Sequence, residues 1–173
     1  MIHVNELTLL IQNAGPNGTT TPITDTLQNV CTDANLDTLT TACGFGPRTA
    51  GCIAAVAALP SACRTCLLPF NHPFEERTGL YACAAPSVNS QCRRNMGCAT
   101  DCTQTSCEQC LPTSESGCYT LVNGNNGQCT TFTNNANSCA SAELGGGLCS
   151  QFSYASYGAW LRAVGDHFCG NGP

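Results

Sequence analysis

Residues 50–66 read Ala50-Gly-Cys-Ile-Ala-Ala-Val-Ala-Ala-Leu-Pro-Ser-Ala-Cys-Arg-Thr-Cys66, and this stretch sets the expected fold. Ala50 to Leu59 is the strongest helix-forming run in the chain, because alanine loses almost no side-chain entropy in a helix. Pro60, which lacks an N–H, stops it. Ser61 to Leu68 then continues as a second short helix. Three cysteines, Cys52, Cys63 and Cys66, ride on these two helices, so the stretch predicts short helices tied together by sulfur.

The same arrangement extends in both directions. Asp33 to Cys43 places Leu36, Leu39 and Cys43 on one helical face, with Gly44 positioned to end it. Before it, Pro22 suits a first helical position, and Ile23, Leu27, Val30 and Cys31 recur at i, i+4, i+7 and i+8, which predicts a helix from Thr21. After it, residues 67–77 hold two prolines and read as an irregular connection packed by Phe70 and Phe74. Pro86 to Cys102 reads as a helix with Cys98 and Cys102 on one face, and Thr103 to Cys110 as one more turn. Cys118 to Val122 and Gln128 to Phe132 are β-favouring runs around Asn-Gly-Asn-Asn-Gly, which predicts a small hairpin. Leu148, Phe152, Tyr157, Trp160, Leu161, Val164 and Phe168 form an apolar helical stripe before Gly170.

Sixteen of the 173 residues are cysteine: Cys31, Cys43, Cys52, Cys63, Cys66, Cys83, Cys92, Cys98, Cys102, Cys107, Cys110, Cys118, Cys129, Cys139, Cys149 and Cys169. That density and even count predict complete pairing in an oxidising, extracellular setting. Only 10% of residues are charged and 6% aromatic, so the hydrophobic core is thin. Each bridge is worth about 2–4 kcal/mol through the unfolded chain, so sulfur carries much of the stability. The gaps of Cys31, Cys43, Cys52 and Cys63 resemble those of Cys118, Cys129, Cys139 and Cys149, a weak internal echo.

Charge and hydropathy argue against two partner classes. The net charge is −5 and all six basic residues are arginine, with only Arg93 and Arg94 adjacent; phosphate recognition needs a cluster, so nucleic acid is not expected. No window approaches the roughly 20 apolar residues of a membrane span. Met1-Ile-His-Val-Asn-Glu lacks the basic and apolar regions of a secretory signal, which is expected to have been removed.

The motifs that carry chemistry elsewhere lack their context here. Cys63-Arg-Thr-Cys66 and Cys107-Glu-Gln-Cys110 have the spacing of redox or zinc pairs. However, Cys63 follows an alanine-rich helix rather than a strand, and the two pairs stand far apart in sequence. Leucine follows both pairs, which excludes haem attachment. His3, His72 and His167 are the only histidines. No catalytic set, metal or cofactor is expected, and no enzymatic activity.

Outside the cysteine framework lies an apolar strip, Leu7, Leu9 and Ile11 at period two, followed by a linker-like stretch to Pro22. Asn17-Gly-Thr19 within it is a glycosylation acceptor. An apolar strip on a tether needs burial, against its own domain or against a neighbouring subunit.

The expected class is disulfide-rich and mainly α, with short helices cross-linked by about eight disulfides, one small β-hairpin and an extended N-terminal arm. Residues 1–22 form the arm and linker, 23–112 a helical region, and 113–173 the hairpin and C-terminal helices of the same domain. The expected function is that of a secreted, extracellular structural protein: a subunit of a fibre, coat or matrix that self-associates through the arm. In style the helices and bridges resemble elicitins and plant lipid-transfer proteins, which implies the alternative of a secreted ligand-binding module, a carrier of a small apolar ligand or an effector. The cysteine spacings differ from theirs, and no site residue carries over.

Overall fold

A computed structural model describes residues 28–71, 76–107 and 115–170. Among the described residues every regular element is helical: α1 Asp33–Ala42, α2 Ala50–Ala57, α3 Ser61–Leu67, α4 Glu76–Ala84, α5 Ser90–Cys107, α6 Glu115–Asn123, α7 Thr130–Cys139, α8 Ser141–Gly145 and α9 Tyr157–Cys169. The chain divides into two units. One comprises described residues up to Pro86 together with those from Ala142 onward; the other is Ser87–Ser141.

The first unit is built on α9. Ser156 caps it by accepting the Ala159 N–H at 3.2 Å, and Tyr157, Trp160, Leu161, Val164 and Phe168 recur at helical spacing on its buried face. It packs chiefly on α1 and also on α3. Leu36 and Leu39 from α1, Leu67 from α3, and Phe70 are fully buried with Trp160, Leu161 and Val164. Each is worth about 1.5–3 kcal/mol relative to exposure. The approach of α9 to α1 is backbone to backbone: a Cβ built on Gly158 would lie 2.7 Å from the Leu39 carbonyl oxygen and closer still to that of Thr40. Phe70 stacks on Phe168 with centroids 5.0 Å apart, and the Tyr157 hydroxyl donates to Asn71 Oδ1 at 3.0 Å.

Four bridges close within this unit: Cys31–Cys63, Cys43–Cys52, Cys66–Cys169 and Cys83–Cys149. The helix expected from Thr21 does not extend through 28–31. Asn29 takes a left-handed φ of 51°, and the N–H groups of Gln28, Val30 and Cys31 donate to the Phe168 and Cys169 carbonyls. These are end carbonyls of α9 that have no partner within the helix, so satisfying them outweighs the local periodicity. Phe152, expected on the α9 stripe, lies instead in a 3₁₀ turn, 96% exposed.

The second unit contains α5, α6 and α7. Asn89 Oδ1 accepts the Cys92 N–H at 2.9 Å at the start of α5, and the helix runs unbroken to Cys107. Cys92 pairs with Cys139 and Cys102 with Cys129. Ten residues along α5 thus answer to ten along α7 in the opposite direction, so the two helices are antiparallel. Cys107–Cys118 fastens α6 to the end of α5.

The expected hairpin at 118–132 is absent: no strand occurs among the described residues, and the two β-favouring runs fall in α6 and α7. The cause is tertiary. Cys107, Val122 and Cys129 form a buried cluster joined by Cys102, Cys118 and Tyr119; helical spacing puts Cys118 and Val122 on one face, whereas a strand would leave the Cys118 bridge and the cluster competing with a ladder. Asn126, at φ 65°, and Gly127, where a Cβ would meet the Leu121 carbonyl at 2.5 Å, turn the chain between helices. Asn123 links all three helices: its Oδ1 accepts from Thr103 at 3.1 Å and Thr133 at 2.6 Å, and its Nδ2 donates to the Tyr119 carbonyl at 3.1 Å.

Candidate functional site

Among the described residues, fourteen of the chain's sixteen cysteines are paired. The first Cys-x-x-Cys is split between bridges, Cys63 to Cys31 and Cys66 to Cys169, so it is neither a closed redox pair nor a thiolate ligand pair. Of the second, Cys107 pairs with Cys118 and Cys110 lies outside the described residues. Cys98 is exposed on α5 and has no disulfide partner among the described residues. The internal echo also dissolves: Cys31, Cys43, Cys52 and Cys63 pair among themselves, while Cys118, Cys129, Cys139 and Cys149 each pair with an earlier cysteine outside their quartet. Leu7, Leu9, Ile11 and Asn17 lie outside the described residues, as do His3 and His72. His167 is exposed in the last turn of α9, edge-on to Phe168 at 4.7 Å.

The surface that stands out is α2 and the turn before it. The Cys43–Cys52 bridge, nine residues apart in sequence with Cα atoms 4.4 Å apart, folds the end of α1 onto the first turn of α2. Thr49 caps α2, accepting the Cys52 N–H at 3.2 Å while its hydroxyl donates to the Ala42 carbonyl at 3.3 Å. The intervening turn is closed by Gly46 N–H to the Cys43 carbonyl at 2.9 Å, with Gly46 at φ 118°, a conformation glycine adopts without strain. That turn holds Phe45 out at 99% exposure.

Helix α2 carries no charged or polar side chain. Only Cys52 is buried; Ile53 is 49% exposed, and Ala50, Ala54 and Ala57 are exposed. At its C-terminal end the Arg64 guanidinium donates to the Ala57 carbonyl at 3.0 Å, satisfying one of the orphan acceptors. A short wholly apolar helix is thus fixed in place by a bridge, a threonine cap and an arginine, with most of its apolar surface in water.

Its sequence marks α2 as a helix but not as a surface, because a helix apolar all round ordinarily signals burial. Elsewhere Leu121 on α6 is 76% exposed, Phe132 on α7 is 43% exposed and Phe152 is 96% exposed; the polar run 123–128 separates the first two in sequence. Among the described residues no group of three metal-ligating side chains converges, and no helix is long and apolar enough to cross a membrane. No protein-family model matches the chain, and no similar curated protein or solved structure is found.

Proposed function

We propose that the chain is a secreted structural subunit that self-associates through apolar contacts at the α2 surface, as part of an extracellular fibre, coat or matrix. The observation that carries this reading is the exposed apolar helix with Phe45 beside it. Large apolar groups held in water mark contact surfaces, and here cap, bridge and turn all hold them there. The seven bridges among the described residues support an oxidising, extracellular setting, and they give a subunit resistance that a thin core does not supply.

Concentration-dependent sedimentation velocity and electron microscopy test it. The wild type is expected to form oligomers or ordered polymers as concentration rises, and Phe45→Ser with Ile53→Asp to remain monomeric. Both residues are exposed, so the fold tolerates the change. A wild-type monomer at every concentration would refute the reading.

A further inference from the structure

Two phenylalanines of the first unit stand almost wholly in water, Phe45 at 99% exposure and Phe152 at 96%. Each is held there by a turn that a disulfide anchors. The first turn is closed by the Gly46 N–H on the Cys43 carbonyl, beside Cys43–Cys52. The second is the 3₁₀ turn Gln151–Ser153, in which the Ser153 and Tyr154 N–H groups donate to the Ser150 and Gln151 carbonyls, both at 3.1 Å. It follows directly on Cys149, bonded to Cys83, and on the buried Ser150.

The two turns emerge at one end of this unit. Helices α1 and α9 are antiparallel: Gly158 adjoins the Leu39 and Thr40 carbonyls, Gly165 adjoins the Leu36 side chain, and the Cys169 carbonyl accepts from the Val30 and Cys31 N–H groups. The end of α1 therefore lies beside the start of α9. Phe45 is three residues beyond Ala42, and Phe152 is five before Tyr157. Charge divides along the same axis. Residues 38–60 and 146–161, which build this end, hold one charged side chain, the exposed Arg48. Toward the opposite end stand Asp33 and Asp166, with Asp37 paired to Arg162.

We propose that this end of the first unit seats on an anionic lipid surface, with Phe45 and Phe152 at the boundary of headgroups and acyl chains and Arg48 against the phosphates. The proposal goes beyond self-association through α2: the flank of that helix with Ile53 is left to neighbouring copies, and the end beside it receives a different occupant. That occupant has to be apolar and negatively charged. The acidic end of a second copy meets only half of this, since none of the exposed large apolar residues lies on it. Size points the same way. Two phenylalanines bury about 300–500 Å², less than the roughly 800 Å² per partner of a stable protein pair, whereas burial in a lipid interface has no such minimum and grows with each apolar group. The turns fix both rings in advance, so little side-chain freedom is lost on insertion. With its carboxylates at the far end, the unit's field turns the Arg48 end toward a negative surface.

Flotation of the full chain with phosphatidylcholine vesicles containing phosphatidylglycerol tests this, with pure phosphatidylcholine vesicles as the comparison. The wild type is expected to bind the anionic vesicles about fivefold better than the neutral ones at low salt, and high salt should remove that difference by screening. Phe45→Ser and Phe152→Ser should each lower binding at least about tenfold, while Leu121→Ser in the second unit leaves it unchanged. Unchanged Trp160 fluorescence shows that each variant is folded. No binding, equal binding to both vesicle types at low salt, or binding that survives both phenylalanine variants overturns the proposal. Oligomers in solution without vesicle binding sink it and leave self-association standing. A chain that is monomeric at every concentration yet floats through Phe152 does the reverse.

Discussion

Replacing Gly158 by alanine tests the packing on which the first unit depends. The position lies in the first turn of α9, where a Cβ would enter contact distance of two α1 carbonyls, at 2.7 Å from that of Leu39 and closer to that of Thr40. Neither atom belongs to a side chain that can rotate away, so the helices must separate. Overpacking of this kind costs about 1–3 kcal/mol, and backbone atoms on both sides place Gly158→Ala at the upper end. Against this, alanine gains up to about 1 kcal/mol of helix propensity. The net expectation is a loss of about 2 kcal/mol, close to thirtyfold in the folding equilibrium.

Trp160, the only tryptophan in the chain and fully buried on the same helix, reports the transition directly. With a urea slope of about 2 kcal/mol per molar, the midpoint should fall by about 1 M. Gly145→Ala in α8 is the control: nothing stands within 4 Å of its built Cβ, so propensity acts alone and the midpoint should hold or rise. A Gly158→Ala midpoint equal to or above the wild-type value would refute the close approach of α9 to α1.

Four further outcomes follow from the same geometry. Removing Cys66–Cys169 by Cys66→Ala with Cys169→Ala opens a bridge of sequence separation 103, yet Cys83–Cys149 shortens the loop it closes to roughly forty residues, so denaturation should show a loss of about 4 kcal/mol. Asn123→Ala removes the acceptor of the buried Thr133 hydroxyl, while Thr103 keeps the Ala99 carbonyl at 2.9 Å, a cost of about 1–3 kcal/mol, and hydrogen exchange should rise in α5–α7. Asp37→Asn removes the exposed 2.7 Å pair with Arg162 and should cost under about 1 kcal/mol; a larger loss would show that charge rather than apolar packing joins α1 to α9. Desolvation raises the Asp101 carboxyl above its ordinary pKa. The folded chain therefore holds that proton more tightly than the unfolded one, and the stability it contributes is present at low pH and lost as pH rises through the folded value. Asp101→Asn should accordingly raise the urea midpoint more at pH 7 than at pH 4.

Several elements were legible from residues alone, since their signals are local. Ala50–Ala57 is a helix because alanine favours one, Ser61–Leu67 because Pro60 can precede but not continue it, and Tyr157–Cys169 because five large apolar side chains repeat at helical spacing. The cysteine density announced a sulfur-bonded fold. The connectivity was not legible: sixteen cysteines admit a vast number of pairings, and only the antiparallel lie of α5 and α7 selects Cys92–Cys139 with Cys102–Cys129. The hairpin expectation failed at Cys118–Val122 for the same reason, as β propensity is worth less than a bridge to α5 and a place in the Cys107, Val122 and Cys129 cluster.

The candidate site shows the division most clearly. From its sequence α2 is the strongest helix-forming run in the chain, and Leu7, Leu9 and Ile11 are an apolar strip with no cysteine to hold them. That α2 faces water was decided by the Cys43–Cys52 bridge and by the packing of α9 over α1. Once α9 had filled the core with Trp160, Leu161 and Val164, the bridged α2 kept only Cys52 inside. Exposure is a property of what else occupies the interior, and no local pattern encodes it.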